Sequence, residues 1–183
     1  KVMPGGNTRT TVYIDPFPIY AERGEGCRVW DVDGNVFYDC INNFTAMIHG
    51  YAQLEAVAAV NTQMPHGSAF GAPTLSEIEL AELLVDRLRS ADQIRFANSG
   101  TEAVMMALKA ARAHTGRPKI AKCEGAYHGS YDYAEVSLDP TPEAWGRNAP
   151  VSVAYAKGTP DNVLADVVTI PFNDTEAAVS LIR

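Results

Sequence analysis

The sequence predicts an α/β fold: a mainly parallel sheet with helices on both faces, preceded by a small antiparallel meander. Three observations carry this. From about residue 52 onward, short β-prone runs alternate with longer runs of helical periodicity. Residues 17–41 hold three short β-prone runs separated by Gly-containing turns. The length of 183 residues, 46% apolar and 20% charged, suits one globular domain or one domain with an appendage.

Residues 1–16 read as irregular, being rich in Gly, Pro and Thr. The meander follows as Ile19-Tyr20-Ala21-Glu22, a Gly24-Glu25-Gly26 turn, Cys27-Arg28-Val29-Trp30, an Asp33-Gly34-Asn35 turn and Val36-Phe37-Tyr38. After Gly50, Leu54, Val57, Ala58 and Asn61 fall at helical spacing, predicting a helix up to Met64. Pro65–Pro73 is too rich in Gly and Pro for either period. Thr74-Leu75-Ser76-Glu77 has capping-box spacing, and Leu75, Ile78, Ala81, Leu84, Val85 and Leu88 trace one helical face behind it. Gln93–Ala97 reads as a strand. The next helix, about Gly100 to His114, sets Ala103, Val104, Ala107, Leu108 and Ala111 on one side and Lys109 and Arg112 on the other. Ile120–Cys123 and Val167–Ile170 read as strands, and a last helix begins near Asp174. Between them, residues 131–166 form a long excursion punctuated by Pro140, Pro142, Pro150 and Pro160.

Fifteen Lys and Arg against 22 Asp and Glu give a net charge of −7, which argues against a nucleic-acid partner. No apolar run approaches the roughly 20 residues of a membrane span, and the start Lys1-Val2-Met3-Pro4-Gly5-Gly6 has neither the apolar core of a signal peptide nor a transit pattern. Cytoplasm is the expected compartment. Cys27, Cys40 and Cys123 form no C-x-x-C pair and read as buried or idle thiols; His49, His66, His114 and His128 form no ligand cluster, so no metal is expected. Asp31-Val32-Asp33-Gly34-Asn35 resembles a calcium loop superficially, but Gly34 comes two residues early and Asn42 stands where Glu is needed. A hairpin turn explains it better.

Two segments can carry chemistry. In Phe96-Ala97-Asn98-Ser99-Gly100-Thr101-Glu102-Ala103 an extended run enters a helix, whose first turn exposes unpaired N–H groups at the positive end of its dipole. That is a phosphate cradle, with Ser99 and Thr101 hydroxyls as further donors. Ser99-x-x-Glu102 is equally an ordinary capping box that needs no ligand. Neither G-x-G-x-x-G nor the P-loop is present. In Glu124-Gly125-Ala126-Tyr127-His128-Gly129, at the end of the next strand, an aromatic could stack on a flat heteroaromatic ring, or simply be buried in a loop.

Together, Asn98–Ala103 and Gly125–Gly129 at this spacing resemble the fold-type I pyridoxal-phosphate enzymes, and specifically the class III aminotransferases. Pro4–Arg9, Gly26–Asn35, Gly67–Thr74 and Pro171–Asp174 match as well. The resemblance covers essentially the whole chain. It is closest to the branch of glutamate-1-semialdehyde 2,1-aminomutase, which also contains β-amino-acid aminotransferases.

The resemblance implies pyridoxal 5'-phosphate as cofactor. Its phosphate would be held by Ser99, Gly100 and Thr101; Tyr127 would stack on its ring, with His128 beside it. Arg9 would take the substrate carboxylate, which suits a guanidinium's paired donors. The implied activity moves an amino group between an amino acid and a keto acid or semialdehyde, through a Schiff base on a lysine, in a homodimer. Family members are over twice as long, and their Schiff-base lysine falls beyond Arg183. The chain's own lysines, Lys1, Lys109, Lys119, Lys122 and Lys157, stand in no such context. The expectation is therefore an N-terminal portion, inactive alone: residues 1–50 as segment and meander, and 51–183 as part of the large cofactor-binding domain, with a C-terminal remainder of the same enzyme as partner. Phe44 stands where the aminomutases carry a tryptophan, and Ser130–Glu135 departs from their loop pattern, so a transaminase is preferred to a mutase. The remaining alternative is a non-catalytic phosphate-ligand-binding α/β domain or partner subunit.

Overall fold

Strands β1 (Ala21–Glu25), β2 (Arg28–Asp31) and β3 (Val36–Tyr38) form the expected antiparallel sheet, in that order and separate from the parallel strands. The computed structural model describes residues 2–9, 12–146 and 149–183. Contacts divide the chain into two units, one up to Ile78 and one from Glu79 to Arg183.

In the first unit the turn sits further along than its glycines suggest. Glu25 pairs with Arg28, leaving Gly26-Cys27 as a two-residue hairpin loop with Gly26 at φ +56°. The strand accordingly starts at Ala21 instead of Ile19. The second hairpin turns on Asp31: its Oδ1 accepts from the N–H groups of Asp33 (3.0 Å) and Asn35 (2.8 Å), and its Oδ2 from Asn35 Nδ2 (2.9 Å). The Asn35 side-chain bond foremost holds the Asp31 carboxyl below the usual carboxylate range. Trp30 carries the Arg23 guanidinium 3.5 Å from its ring centroid. Of the thiols expected to be buried or idle, Cys27 and Cys40 are exposed and Cys123 is half-buried, and all three are free.

After the sheet the chain makes one left-handed turn, α1 (Asn42–Thr45), with all four φ values between +45° and +69°. Left-handed backbone costs on the order of 1–2 kcal/mol per non-glycine residue, so something must hold it. That is Asp39. Its carboxylate accepts from the N–H groups of Ile41 (2.9 Å), Asn42 (2.8 Å) and Asn43 (2.8 Å), and from the Tyr51 hydroxyl (2.7 Å). Then come α2 (Leu54–Gln63), capped by the Gln53 side chain, a 3-10 turn (Met64–His66), and α3 (Leu75–Arg87). The predicted capping box is formed: Glu77 accepts from Thr74 N, and Thr74 Oγ1 accepts from Glu77 N.

In the second unit Gln93–Ala97 is not a strand. Its N–H and C=O groups join no ladder among the described residues, and an apolar alternation cannot supply the partner that a parallel strand needs. Helix α4 (Gly100–Thr115) ends on Gly116 at φ +67°. Its half-buried stripe is Thr101, Val104, Met105, Leu108 and Arg112, one position round from the predicted alanine face. Arg112 is drawn in because its guanidinium lies 4.1 Å from the Tyr133 ring centroid and its Nε donates to Pro118 O. Strands β4 (Ile120–Cys123) and β5 (Val167–Ile170) pair in parallel, Lys122 opposite Thr169. The excursion between them holds two short helices that its prolines hid, α5 (Asp132–Glu135) and α6 (Asp161–Asp166). Their core is small: Val136, Val163 and Val167, with Ile120, Tyr133 and Leu164 packed on it. Helix α7 (Thr175–Ile182) begins on the Asp174 cap, as predicted.

The Asp39 hub makes a pH prediction. The Tyr51 bond foremost, then the backbone donors, lower the folded carboxyl below its ordinary value. A depressed carboxyl adds stability above the unfolded value, about pH 4, and loses it as pH falls through the folded value. Asp39→Asn should therefore unfold at lower denaturant than the parent at pH 7, and the gap should close toward pH 3. Denaturant curves that stay equally far apart across this range would contradict the assignment.

Candidate active site

The residues that combine at the carboxyl end of β4 lie in the second unit. Ser99, extended at φ −150°, caps α4: its Oγ accepts from Glu102 N (3.2 Å), and Glu102 Oε2 accepts from Asn98 N (2.8 Å). The capping box is thus real. It leaves the N–H groups of Gly100 and Thr101 with no acceptor among the described residues. A Cβ built on Gly100 would meet nothing within 4 Å, so the flank of the first turn is uncrowded at this residue. Two vacant donors at a 16-residue helix start have the electrostatics of an anion cradle.

The following loop is tied to this helix start. Ser130 N donates to Thr101 Oγ1 (3.1 Å), and Gly129, buried at φ +95°, packs on Thr101. The Thr101 hydroxyl accepts there and keeps its own hydrogen for another partner. At the loop's near end Glu124 N still joins the ladder to Ile170 O (2.9 Å), whereas Gly125 N leaves it for Ser137 O (2.8 Å). Between these anchors Tyr127 stands 61% exposed, with His128 also exposed. The aromatic is not buried in its loop.

Three buried or half-buried polar side chains of the second unit, one of them (Arg112) toward the far end of α4, are incompletely paired or perturbed. Glu124 Oε1 is buried with no hydrogen-bond partner among the described residues, as is Arg112 Nη2. Lys122 is 5% exposed, its Nζ donating to Cys123 O (3.1 Å), and burial pushes its ammonium below the ordinary lysine range. Arg9 belongs to the first unit, its guanidinium 5.9 Å from the Phe44 ring centroid. In the same unit, Ser68, Phe70–Thr74 and Glu77 line an open cleft of about 580 Å³.

A profile of the class-III aminotransferases matches residues 10–166. The chain belongs to this family. It is 41% identical over 183 residues to the glutamate-1-semialdehyde 2,1-aminomutase of Methanothermobacter thermautotrophicus, covering all of this chain and 42% of that protein. Among solved structures it is similar to an ω-transaminase from Sphaerobacter thermophilus, 54% identical with a TM-score of 0.91, covering 99% of this chain and 41% of the other. It also matches a transaminase with pyridoxal phosphate bound, 49% identical with a TM-score of 0.89, covering 100% and 41%. The chain therefore spans about two-fifths of the length of the proteins it matches. The fold is fold-type I, and the cofactor of this aminotransferase family is pyridoxal 5'-phosphate. The helix start with its vacant donors fits that cofactor's phosphate.

Sequence reading found the helix start and the aromatic loop but missed what fastens the loop, Ser130 and Ser137. Neither residue carries a motif; each matters through a partner 29 or 12 residues away.

Two glycine substitutions separate the scaffold from the cradle. A Cβ on Gly129 would lie 2.6 Å from Thr101 Oγ1 and 2.7 Å from its Cα. Gly129→Ala should cost about 1–3 kcal/mol in urea unfolding of the ligand-free protein, by overpacking and strain. Gly100→Ala should keep that stability within about 1 kcal/mol of the parent yet weaken phosphate binding, measured by titration. Equal unfolding effects of the two would contradict the geometry.

Proposed function

We propose that this chain is the N-terminal part of a pyridoxal-phosphate-dependent aminotransferase that moves an amino group between an amino acid and a keto acid or semialdehyde. The observation that carries the reading is the Thr101–Ser130 bond. It joins a helix start with two vacant N–H donors to the loop that presents an uncovered tyrosine.

In this reading the Gly100 and Thr101 N–H groups and the Ser99 and Thr101 hydroxyls hold the phosphate dianion, with the helix dipole adding to the attraction. Tyr127 offers an apolar face to the ring, and His128 stands next to it in the loop. Bound pyridoxal phosphate supplies the electrophilic carbonyl and the electron sink for amino transfer. Arg9 takes the substrate carboxylate. The lysine that anchors the cofactor lies in the C-terminal remainder, and the enzyme works as a cytoplasmic homodimer. The exposed apolar residues Leu54 (81%) and Leu75 (76%) support further covering surfaces.

A mutase is the second reading, favoured by the curated aminomutase relatives at about 41% identity. Phe44 in place of the aminomutase tryptophan, and transaminase structures at 54% and 49% identity, weigh toward intermolecular transfer. The test is an assay of the full-length enzyme. Amino transfer from an amino acid to an added keto acid supports the transaminase. Turnover of glutamate-1-semialdehyde without an acceptor supports the mutase. Absence of the visible cofactor band leaves only a phosphate-binding domain.

Arg9→Ala should leave cofactor retention unchanged and raise KM for carboxylate substrates by a factor equivalent to about 1.5–3 kcal/mol, one charge-assisted contact. An amine substrate without a carboxylate should show no change, and an equal loss for both substrates would remove Arg9 from the site.

A further inference from the structure

Ser137 takes no part in the ligand contacts proposed above, yet its side chain is tightly constrained. It is 1% exposed and adopts φ +52°, a left-handed conformation uncommon outside glycine. Its hydroxyl donates to Val151 O (3.0 Å), accepts from Val153 N (3.1 Å) and lies 3.2 Å from Thr169 Oγ1. Its one hydrogen goes to Val151 O and one lone pair takes Val153 N; with the Ser152 hydrogen on Val167 O, the single Thr169 hydrogen serves either Ser137 or Ser152. The Ser137 backbone is equally committed, N–H to Val153 O (2.8 Å) and C=O from Gly125 N (2.8 Å). Thr169 Oγ1 reaches on to Ser152 Oγ (2.9 Å), which donates to Val167 O (2.7 Å). The hub therefore ties the 151–153 segment, strand β5 and the start of the Gly125–Ser130 loop together.

The bond to Gly125 is where the chain leaves the sheet. Glu124 N is still in the β4–β5 ladder; the next N–H belongs to Ser137. The loop's other anchor is Thr101, part of the cradle itself. With the far end fixed there, the near end decides where Tyr127 stands. Glycine would accept the φ of Ser137 but leave Val153 N and Val151 O without their hydroxyl partner. Alanine would lose the same bonds and keep the strain.

We propose that Ser137 is a positioning residue for the ring-facing side of the site, acting through Gly125 to set the place of Tyr127. The proposal rests on the reading that Tyr127 covers the cofactor ring. It predicts a split between the two halves of the ligand: disturbing Ser137 weakens recognition of the ring and spares that of the phosphate.

The test compares Ser137→Ala, Thr169→Val, Val163→Ala and Tyr127→Ala in the full-length enzyme. Each apoenzyme is titrated with pyridoxal phosphate and separately with inorganic phosphate, and the visible circular dichroism of the bound cofactor is recorded. Ser137→Ala should weaken pyridoxal phosphate by up to about tenfold, the scale of one lost aromatic stacking contact, with phosphate affinity within about twofold and a diminished dichroic band. Thr169→Val, which swaps one hydroxyl for a methyl, should move the same ratio by a smaller factor and decides the matter if Ser137→Ala does not fold. Val163→Ala loosens the same core without touching the hub and should lower stability while leaving the ratio unchanged. Equal losses for both ligands, or a ratio moved as far by Val163→Ala, would overturn the role of Ser137. A changed ratio in Tyr127→Ala with none in the hub variants would overturn it while sparing the cofactor reading. No change in Tyr127→Ala would overturn both.

Discussion

The Thr101 hydroxyl accepting Ser130 N is the contact on which the second unit's site depends. It joins two segments that the chain separates by a 16-residue helix and a strand, and it does so at the residue whose own N–H is vacant. A phosphate bound at the helix start would therefore meet a hydroxyl already committed as an acceptor and oriented to donate. The loop in turn is fixed without contributing a side chain to its own fastening. Its anchors are backbone N–H groups, at Gly125 and Ser130, so the side chains between them remain available.

The second unit relies on polar fastening because its core is thin. Val136, Val163 and Val167 are its buried apolar cluster, and three hydroxyls, of Ser137, Ser152 and Thr169, lie in the same region. Buried hydroxyls are costly when unpaired and specific when paired, since each bond fixes a direction that apolar contact does not. Every one of these finds partners. The first unit uses the same device with a charge: Asp39 collects three N–H groups and a tyrosine hydroxyl to hold a left-handed turn that ends beside Ala46. In both units a strained stretch of backbone coincides with a polar hub, and the hub supplies what the strain costs.

Much of the fold was legible in the residues. The Asp31–Asn35 turn around Asp33-Gly34, Thr74-x-x-Glu77 and Asp174 ahead of an apolar run each act through neighbours two to four positions away, so local sequence contains the whole interaction. Gln93–Ala97 failed because a strand is a property of two segments, and alternation reports only one. The half-buried face of α4 was misplaced by one position because alanine counts as apolar but has little surface to bury. Met105 and the stem of Arg112 took the place of Ala107 and Ala111. At the site, Ser99–Thr101 and Tyr127 were legible as chemistry, whereas Ser137 was not. Nothing local marks a serine that will be left-handed and bonded to residues 12 to 32 positions away.

The helix start also bears on an ambiguity that the sequence left open. A capping box and a phosphate cradle look like rival explanations of Ser99-Gly100-Thr101-Glu102, since both draw on the unpaired donors of a first turn. The structure shows them drawing on different donors. The box uses the N–H of Glu102 and of Asn98, through the Ser99 hydroxyl and the Glu102 carboxylate. The N–H groups of Gly100 and Thr101 lie between those two and are left over. Turning the Glu102 carboxylate back onto Asn98 also occupies the one acid of the first turn, which would otherwise be free to compete for those N–H groups. The cap thus stabilises the helix in the absence of any ligand, and it does so without drawing on the N–H groups of Gly100 and Thr101, so a formed capping box and the proposed anion contacts are compatible.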